Sequence, residues 1–249
     1  MDYRNQNPMS YAVRESAGAY DQGLRTYMLG VYNYMGGALA LTGLTAYLGA
    51  FWQPLHDLLY QQSQNGHLGL TGLGWIVTFA PLAMIFLGFG RMNRMTLSSA
   101  QAMFWVFAAV MGLSLSGICL VYTGQSVVRA FLSTAILFGA MGLWGYSTKK
   151  DLTSMGHFLM MGVVGVIIAM VVNFFLQSPG LQFAMSILGV VIFTGLTAYD
   201  TQKIKSYYYA TGGNPDAAGK TAIYGALNLY LDFINMFMFL IQLTGNRRN

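Results

Sequence analysis

Two aspartates in the last third of the chain stand in stretches that are otherwise apolar enough to lie inside a membrane. Asp200 is part of FTGLTAYDTQKIK (193–205), and Asp232 is part of LYLDFINMFMFLIQLTG (229–245). A carboxylate in hydrocarbon is costly, so ionisable residues in such stretches are rare and usually mark a functional site. We therefore expect this pair to form the functional centre of the protein.

The helical register of the last stretch places further polar side chains beside Asp232. Asn228 lies four residues before it and Asn235 three residues after it, on one face of an α-helix. Gly225 and Gln242 continue the same face. A narrow polar face on an apolar helix should turn toward the interior of a helix bundle, because lipid would leave its polar groups unpaired.

The segment GGNPD (212–216) predicts a tight turn between the two aspartate-bearing helices, with Asp216 as the amino-terminal cap of the second helix. Counted from this turn, Asp200 and Asp232 differ by about 9 Å along the helix axes, at about 1.5 Å per residue. Side chains lean toward the amino terminus of their own helix, which shortens that offset in an antiparallel pair. The two carboxylates can therefore meet or share a water molecule.

Two neighbouring carboxylates in a medium of low polarity do not both ionise at small cost, so the pair is expected to retain one proton and to titrate as a unit. Such a site can sense pH near neutrality, or bind a hard divalent cation through oxygen ligands, to which the amides of Asn228 and Asn235 can add. Arg91 and Arg94 are candidates for an arginine that latches the ionised pair and is released by protonation or by cation binding. The alternative is a hydrogen-bonded pair that only fixes helix packing.

The composition indicates a polytopic helical membrane protein. Of the 249 residues, 55% are hydrophobic and only 8% are charged, against about 25% charged in a soluble domain. Apolar stretches of helix-spanning length predict seven transmembrane helices, and alternating segments that would indicate a β-barrel are absent from the sequence. The stretches are 27–50, 72–90, 100–122, 128–146, 157–177, 183–202 and 221–243.

The basic residues indicate the orientation of these helices. Ten of them fall before the first stretch or in alternate connections, which by the positive-inside rule places the amino terminus in the cytoplasm. The same clustering explains the net charge of +5 without nucleic-acid binding. Residues 1–25 are expected to form a cytoplasmic tail, and residues 26–249 the transmembrane domain. Seven full spans place Arg247 and Arg248 outside, whereas a re-entrant last segment keeps them inside.

Other parts of the chain carry weaker signals. The connection 51–71 contains His56, Asp57 and His67 without the spacing of metal ligands, so a solvated loop is expected there. Cys119 is the only cysteine, which excludes a disulfide framework and a thiolate metal site. Small residues in GALALTGLTAYLGA and MGLSLSGICL predict close helix contacts. No cofactor is expected from these residues.

The chain resembles the Bax inhibitor-1 (transmembrane BAX inhibitor motif) family, in particular its bacterial members. The similar stretches are VYNYMGGALALTGLTAYLG (31–49), TKKDLTSM (148–155) and the two aspartate-bearing segments. This resemblance implies seven helices around a central last helix. It also implies a pH-sensitive calcium leak channel of the bacterial inner membrane, with Asp200 and Asp232 as the gating pair and Arg91 or Arg94 as the latch.

The resemblance also supports a second function, in which the protein binds and modulates a membrane-bound protease of the FtsH type through its amino-terminal tail. An enzyme is not expected, because the sequence has no metalloprotease motif, phosphate-binding loop or nucleophile motif. A retinal-binding photoreceptor is excluded, because all five lysines lie in or beside connections between the apolar stretches.

Overall fold

The computed structural model describes residues 8–62, 68–90 and 95–248, with side chains described from residue 22 onward. These parts form eight helices and one two-stranded antiparallel hairpin. The elements are α1 (Pro8–Phe51), α2 (Gln53–Leu59), β1 (Tyr60–Gln62), β2 (Leu68–Leu70), α3 (Gly72–Leu87), α4 (Leu97–Val121), α5 (Gly124–Ser147), α6 (Thr153–Leu176), α7 (Pro179–Ala210) and α8 (Pro215–Thr244).

Each of the seven predicted apolar stretches is helical, which confirms the all-α integral membrane fold. Helices α4 to α8 are each long and apolar enough to cross a membrane. The bent pair of α1 and α2, which meet at 83°, provides one further candidate span, and α3 is a shorter apolar helix of 16 residues. The helix count differs from seven because the connection 51–71 contains α2.

This connection is largely exposed in its described part, as the sequence predicted, but it contains a helix and a hairpin rather than an irregular loop. Leu59 is only 2% exposed, and the hydroxyl groups of Tyr60 and Ser116 are hydrogen-bonded at 2.8 Å. The backbone N–H of Thr71 donates to the carbonyl oxygen of Leu59. The described part of the connection is therefore packed against the end of α4, while His67 lies outside the described residues.

Helix α8 is the central helix of the bundle. It packs against α1, α4, α5 and α7, and 67% of its most apolar window is buried, against 6% for α6. Helix α6 packs mainly on α7. The prediction of a central last helix is confirmed, and α6 lies at the periphery.

We call the end of the bundle with the α5–α6 and α7–α8 connections the basic end, because all five lysines lie in or beside these connections. Helix α1 enters here, since the Tyr27 hydroxyl donates to Thr221 near the start of α8. Helix α1 runs without a break from Pro8 through the predicted boundary between residues 25 and 26. Whether residues 1–25 form a cytoplasmic tail stays a prediction.

The carboxyl terminus lies at the opposite end of the bundle. Helix α8 is continuous over 30 residues, so it is not re-entrant. After it, the N–H of Arg248 donates to the Val121 carbonyl at 2.8 Å, and the N–H of Thr123 donates to the Asn246 carbonyl at 3.1 Å. These bonds fasten the chain end to the α4–α5 connection.

The turn between α7 and α8 follows the predicted chemistry with one correction. Gly212 and Gly213 adopt left-handed backbone angles (φ 58° and 82°) that favour glycine. The cap of α8 is Asn214 and not Asp216, because the Asn214 side chain accepts hydrogen bonds from the N–H groups of Asp216 and Ala217. Asp216 instead pairs with Lys220 one turn later, at 3.2 Å.

Candidate functional site

Asp200 and Asp232 are brought together where α7 packs against α8. Asp232 lies near the middle of α8 and is only 5% exposed, while Asp200 on α7 is half-buried. Their carboxyl groups interact directly, side chain to side chain. The helical register therefore placed the two residues correctly, while their role stays a prediction.

Both carboxyl groups face a cavity of about 650 Å³ between α6, α7 and α8. Along α6 it extends from His157, beside the basic end, to Met170, a distance of about 20 Å at 1.5 Å per residue. Most of its wall is formed by aliphatic and aromatic side chains. A mostly apolar cavity with a few convergent polar groups is typical of a binding site or a transport path.

The polar groups of the cavity come from all three helices. Helix α6 contributes one, α7 three and α8 four, and they concentrate between the basic end and the level of the aspartates. They are His157, Tyr199, Asp200, Lys203, Tyr224, Asn228, Asp232 and Asn235.

One oxygen of Asp232 receives no hydrogen bond from a conventional donor in the described part of the chain, because its neighbour Asp200 is also a carboxyl group. This oxygen, Oδ2, is buried and has no hydrogen bond from any side chain or backbone group that the structure describes. Nearby, the Asn235 side-chain amide nitrogen donates to the Leu231 carbonyl at 2.8 Å, so its amide oxygen is not used in that bond. A buried polar atom without a partner is costly, and here it indicates a place for a proton, a water molecule or a cation.

Helices α7 and α8 are in close contact on the side of the aspartates away from the basic end. The rings of Phe193 and Phe239 are stacked with their centroids 6.0 Å apart, and a side chain at Gly189 would clash with the Phe239 ring. Beyond the rings, the Gln182 side-chain amide donates to that of Gln242 at 2.6 Å. Two layers, one aromatic and one of hydrogen-bonded amides, therefore join α7 to α8 on the side of the aspartates away from the basic end.

The other predicted site residues have different positions. Gly225 packs closely on Ile204 of α7, and Gln242 belongs to the amide layer rather than to the cavity. Arg91 and Arg94 lie outside the described residues. Their assignment as latch candidates stays a prediction.

Sequence reasoning missed Lys203 and the contribution of α6. The sequence placed Lys203 at a loop margin, but α7 continues to Ala210, so Lys203 projects from helix into the cavity. Its spacing of three residues from Asp200 is a signal that could have found it. His157, near the start of α6, also lines the cavity.

Whether the cavity binds a hard cation stays a prediction. Within the described residues no group of three His, Cys, Asp or Glu side chains could hold a metal ion. A calcium ion would depend on the two carboxylates and on the amide oxygens of Asn228 and Asn235. Carboxylate and amide oxygens are ligands that Ca²⁺ takes in proteins.

Comparison with known proteins identifies the family. Residues 24–249 match the model of the family described as "Inhibitor of apoptosis-promoting Bax1". An uncharacterized protein of Rickettsia prowazekii, RP147, is 51% identical over 92% of this chain and 93% of its own length. An uncharacterized protein of Caulobacter vibrioides is 44% identical over 92% and 91%, and the inner membrane protein YbhL of Escherichia coli K12 is 39% identical over 91% and 94%. The chain therefore belongs to the Bax inhibitor-1 family.

Proposed function

We propose that the protein is a pH-sensitive calcium leak channel in which Asp200 and Asp232 form the cation site and the pH sensor. The observation that carries this proposal is the buried, unpartnered Oδ2 atom of Asp232, which belongs to a carboxylate pair facing one cavity. Acidic residues inside membrane helices usually line ion or proton paths. Protons and divalent cations compete for the same carboxyl oxygens of the pair, so calcium flux should depend on pH.

The proposed orientation places the basic end in the cytoplasm of a bacterial cell, with the amino terminus on the same side. The lysines at this end support it through the positive-inside rule. The relative YbhL is named as an inner membrane protein, which supports the inner membrane as the location. The cavity then has His157 and Lys203 toward its cytoplasmic side, and the aromatic and amide contacts between α7 and α8 lie toward the outside.

An arginine latch completes the proposed gate. Arg91 and Arg94 belong to the connection between α3 and α4, which joins two helices whose ends lie at the basic end. In the proposed gate, one of them pairs with the ionised aspartates in the closed state and separates when protons or calcium neutralise the pair. In this gate the closed state is favoured when the aspartate pair is ionised and holds no calcium.

The test is calcium flux into liposomes that contain the purified protein, measured from pH 5 to 8. We expect the wild-type flux to change across this range, and Asp200→Asn or Asp232→Asn to flatten the change, because each removes one titrating group. If the folded wild-type protein passes no calcium at any pH, the leak function is wrong.

Asp151→Asn is the matched control for these substitutions. Asp151 lies in the α5–α6 connection, where hydrogen bonds from the hydroxyl and backbone N–H of Thr153 hold the pKa of its carboxyl below the ordinary value. It therefore stays ionised from pH 5 to 8, and the pH profile of Asp151→Asn should match that of the wild type. A profile changed equally by all three substitutions would contradict a specific role for the pair.

The length of α1 favours a second function, the modulation of a membrane-bound protease. Helix α1 has 44 residues, about 66 Å at 1.5 Å per residue, whereas about 20 residues cross a bilayer. The segment before Gln22 therefore projects from the basic end, where a partner could bind it. Deletion of residues 1–21 should abolish such binding and leave calcium flux unchanged.

A further inference from the structure

Lys203 holds a positive charge inside the cavity, one helical turn from Asp200 and on its side toward the basic end. Its ammonium group is 5.4 Å from the centroid of the Tyr199 ring and 6.0 Å from that of Tyr207. Aromatic faces stabilise cations at such distances. The two rings therefore hold the lysine head group at the cavity wall, although a lysine near a helix end is free to extend toward the membrane surface.

The Lys203 ammonium is attracted to the Asp200 carboxylate without forming a salt bridge to it. The two charges interact electrostatically, but the salt bridges between described side chains are His56–Asp57 and Lys220–Asp216. Asp200 is thus within the field of the lysine and still able to bind another cation.

Within the described part of the chain, few charged groups besides Lys203 face Asp200. Of the helices that pack on α7, α8 contributes Asp232 and Tyr224, and α6 contributes His157. Helices α1 and α5 pack on other faces of α7, where Tyr27 lies against Tyr208 and Tyr146 lies against Lys205. Lys203 is therefore the only lysine or arginine that lines the cavity among the described residues.

We propose that Lys203 is a tethered competitor of mobile cations at the aspartate pair and so sets how tightly the site binds a divalent cation. The inference rests on the proposed function for the identity of that cation. A mobile cation that enters from the basic end must pass the ammonium group and then share the Asp200 carboxylate with it. A resident positive charge weakens the binding of the cation. Lys203 therefore allows the cation to leave the aspartate pair, which would otherwise hold it tightly.

Lys205 provides a matched control on the same helix. It lies two residues after Lys203 and therefore about 200° around the helix. Its ammonium group donates to the Tyr146 carbonyl oxygen and lies 4.8 Å from the Tyr146 ring centroid. It thus carries the same charge and also contacts an aromatic ring, but it faces α5 and does not line the cavity.

The experiment measures equilibrium binding of radioactive calcium and calcium flux at pH 8 for the full chain in liposomes, with Lys203→Gln, Lys203→Arg and Lys205→Gln. We expect Lys203→Gln to lower the calcium concentration at half-saturation by about tenfold or more, because a unit charge several ångströms from a divalent cation in a medium of intermediate polarity repels it by at least that much. Lys203→Arg keeps the charge and should retain wild-type binding. Lys205→Gln should also match the wild type.

Each outcome has a separate meaning. Equal half-saturation in Lys203→Gln and Lys205→Gln, changed or unchanged, overturns the inference, because then the lysine acts as general surface charge or not at all. Tighter binding in Lys203→Gln that Asp232→Asn abolishes, with no flux in any variant, supports the inference and contradicts the leak function. Absence of calcium binding by folded wild-type protein overturns both.

Discussion

The contact between α1 and α4 allows a quantitative test of how this bundle is held together. Gly112 of α4 lies so close to α1 that a Cβ atom would clash with the Thr45 side chain and the Thr42 carbonyl, and would lie 2.9 Å from the Thr42 Cα atom. Overpacking of this kind costs about 1–3 kcal/mol. Thr42 also bonds to the Ala108 carbonyl at 2.9 Å and to the Tyr230 hydroxyl at 2.7 Å. Any shift of α1 weakens both bonds, at about 0.6 kcal/mol each on average in a membrane protein.

Gly112→Ala is therefore expected to lower the free energy of unfolding by about 1–3 kcal/mol. This net loss already includes the gain of up to about 1 kcal/mol from replacing glycine within a helix. Gly43→Ala is the matched control, because Gly43 lies on α1 itself and a Cβ atom there meets nothing within 4 Å. It should leave stability unchanged or raise it by up to about 1 kcal/mol.

The assay is reversible unfolding in mixed micelles of a mild detergent and dodecyl sulfate, followed by far-ultraviolet circular dichroism. The two variants should differ by about 1–4 kcal/mol, the sum of the loss at Gly112 and the gain at Gly43. If they unfold at the same dodecyl sulfate fraction, close approach of α1 and α4 does not stabilise the fold, and the reasoning fails.

Two further substitutions test single hydrogen bonds by the same unfolding assay. Tyr230→Phe keeps the ring contacts of a fully buried residue but removes its bond to Thr42, so it should cost about 0.6–1.7 kcal/mol; an unchanged stability would show that the bond contributes nothing. Asn214→Ala removes the cap of α8 and should lower the free energy of unfolding by about 1 kcal/mol. Asp216→Ala should lower it by less. A larger loss for Asp216→Ala than for Asn214→Ala would indicate that Asp216 is the cap.

Hydropathy and helical register predicted the parts of the structure that depend on local chemistry. The apolar stretches predicted the helices because backbone groups in lipid must pair within a helix. The register of Asn228, Asp232 and Asn235 predicted a shared face, and all three line one cavity. Glycine at the α7–α8 turn was predicted for its conformational freedom, and Gly212 and Gly213 both use it.

Features that depend on tertiary packing were not accessible from the sequence. Helix α7 continues beyond Gln202 because its last turns pack on other elements: Gln202 bonds to the α5–α6 connection and Tyr208 contacts Tyr27. This extension carries Lys203 into the cavity. The fold of the connection 51–71 depends likewise on a distant partner, the Ser116 hydroxyl.

The direction of the polar face of α8 follows from packing rather than from amphipathicity. Because α8 is central, its apolar face is also buried, as Phe233 and Phe237 show. The rotation of α8 about its axis is therefore not set by a preference of the apolar face for lipid. Tyr230 and Asp232 are two residues apart and point about 200° from each other. The bond from Tyr230 to Thr42 fixes the helix toward α1 and α4, and this rotation turns Asp232 toward α6 and α7. The contact that Gly112 permits is therefore also a condition for the geometry of the aspartate pair.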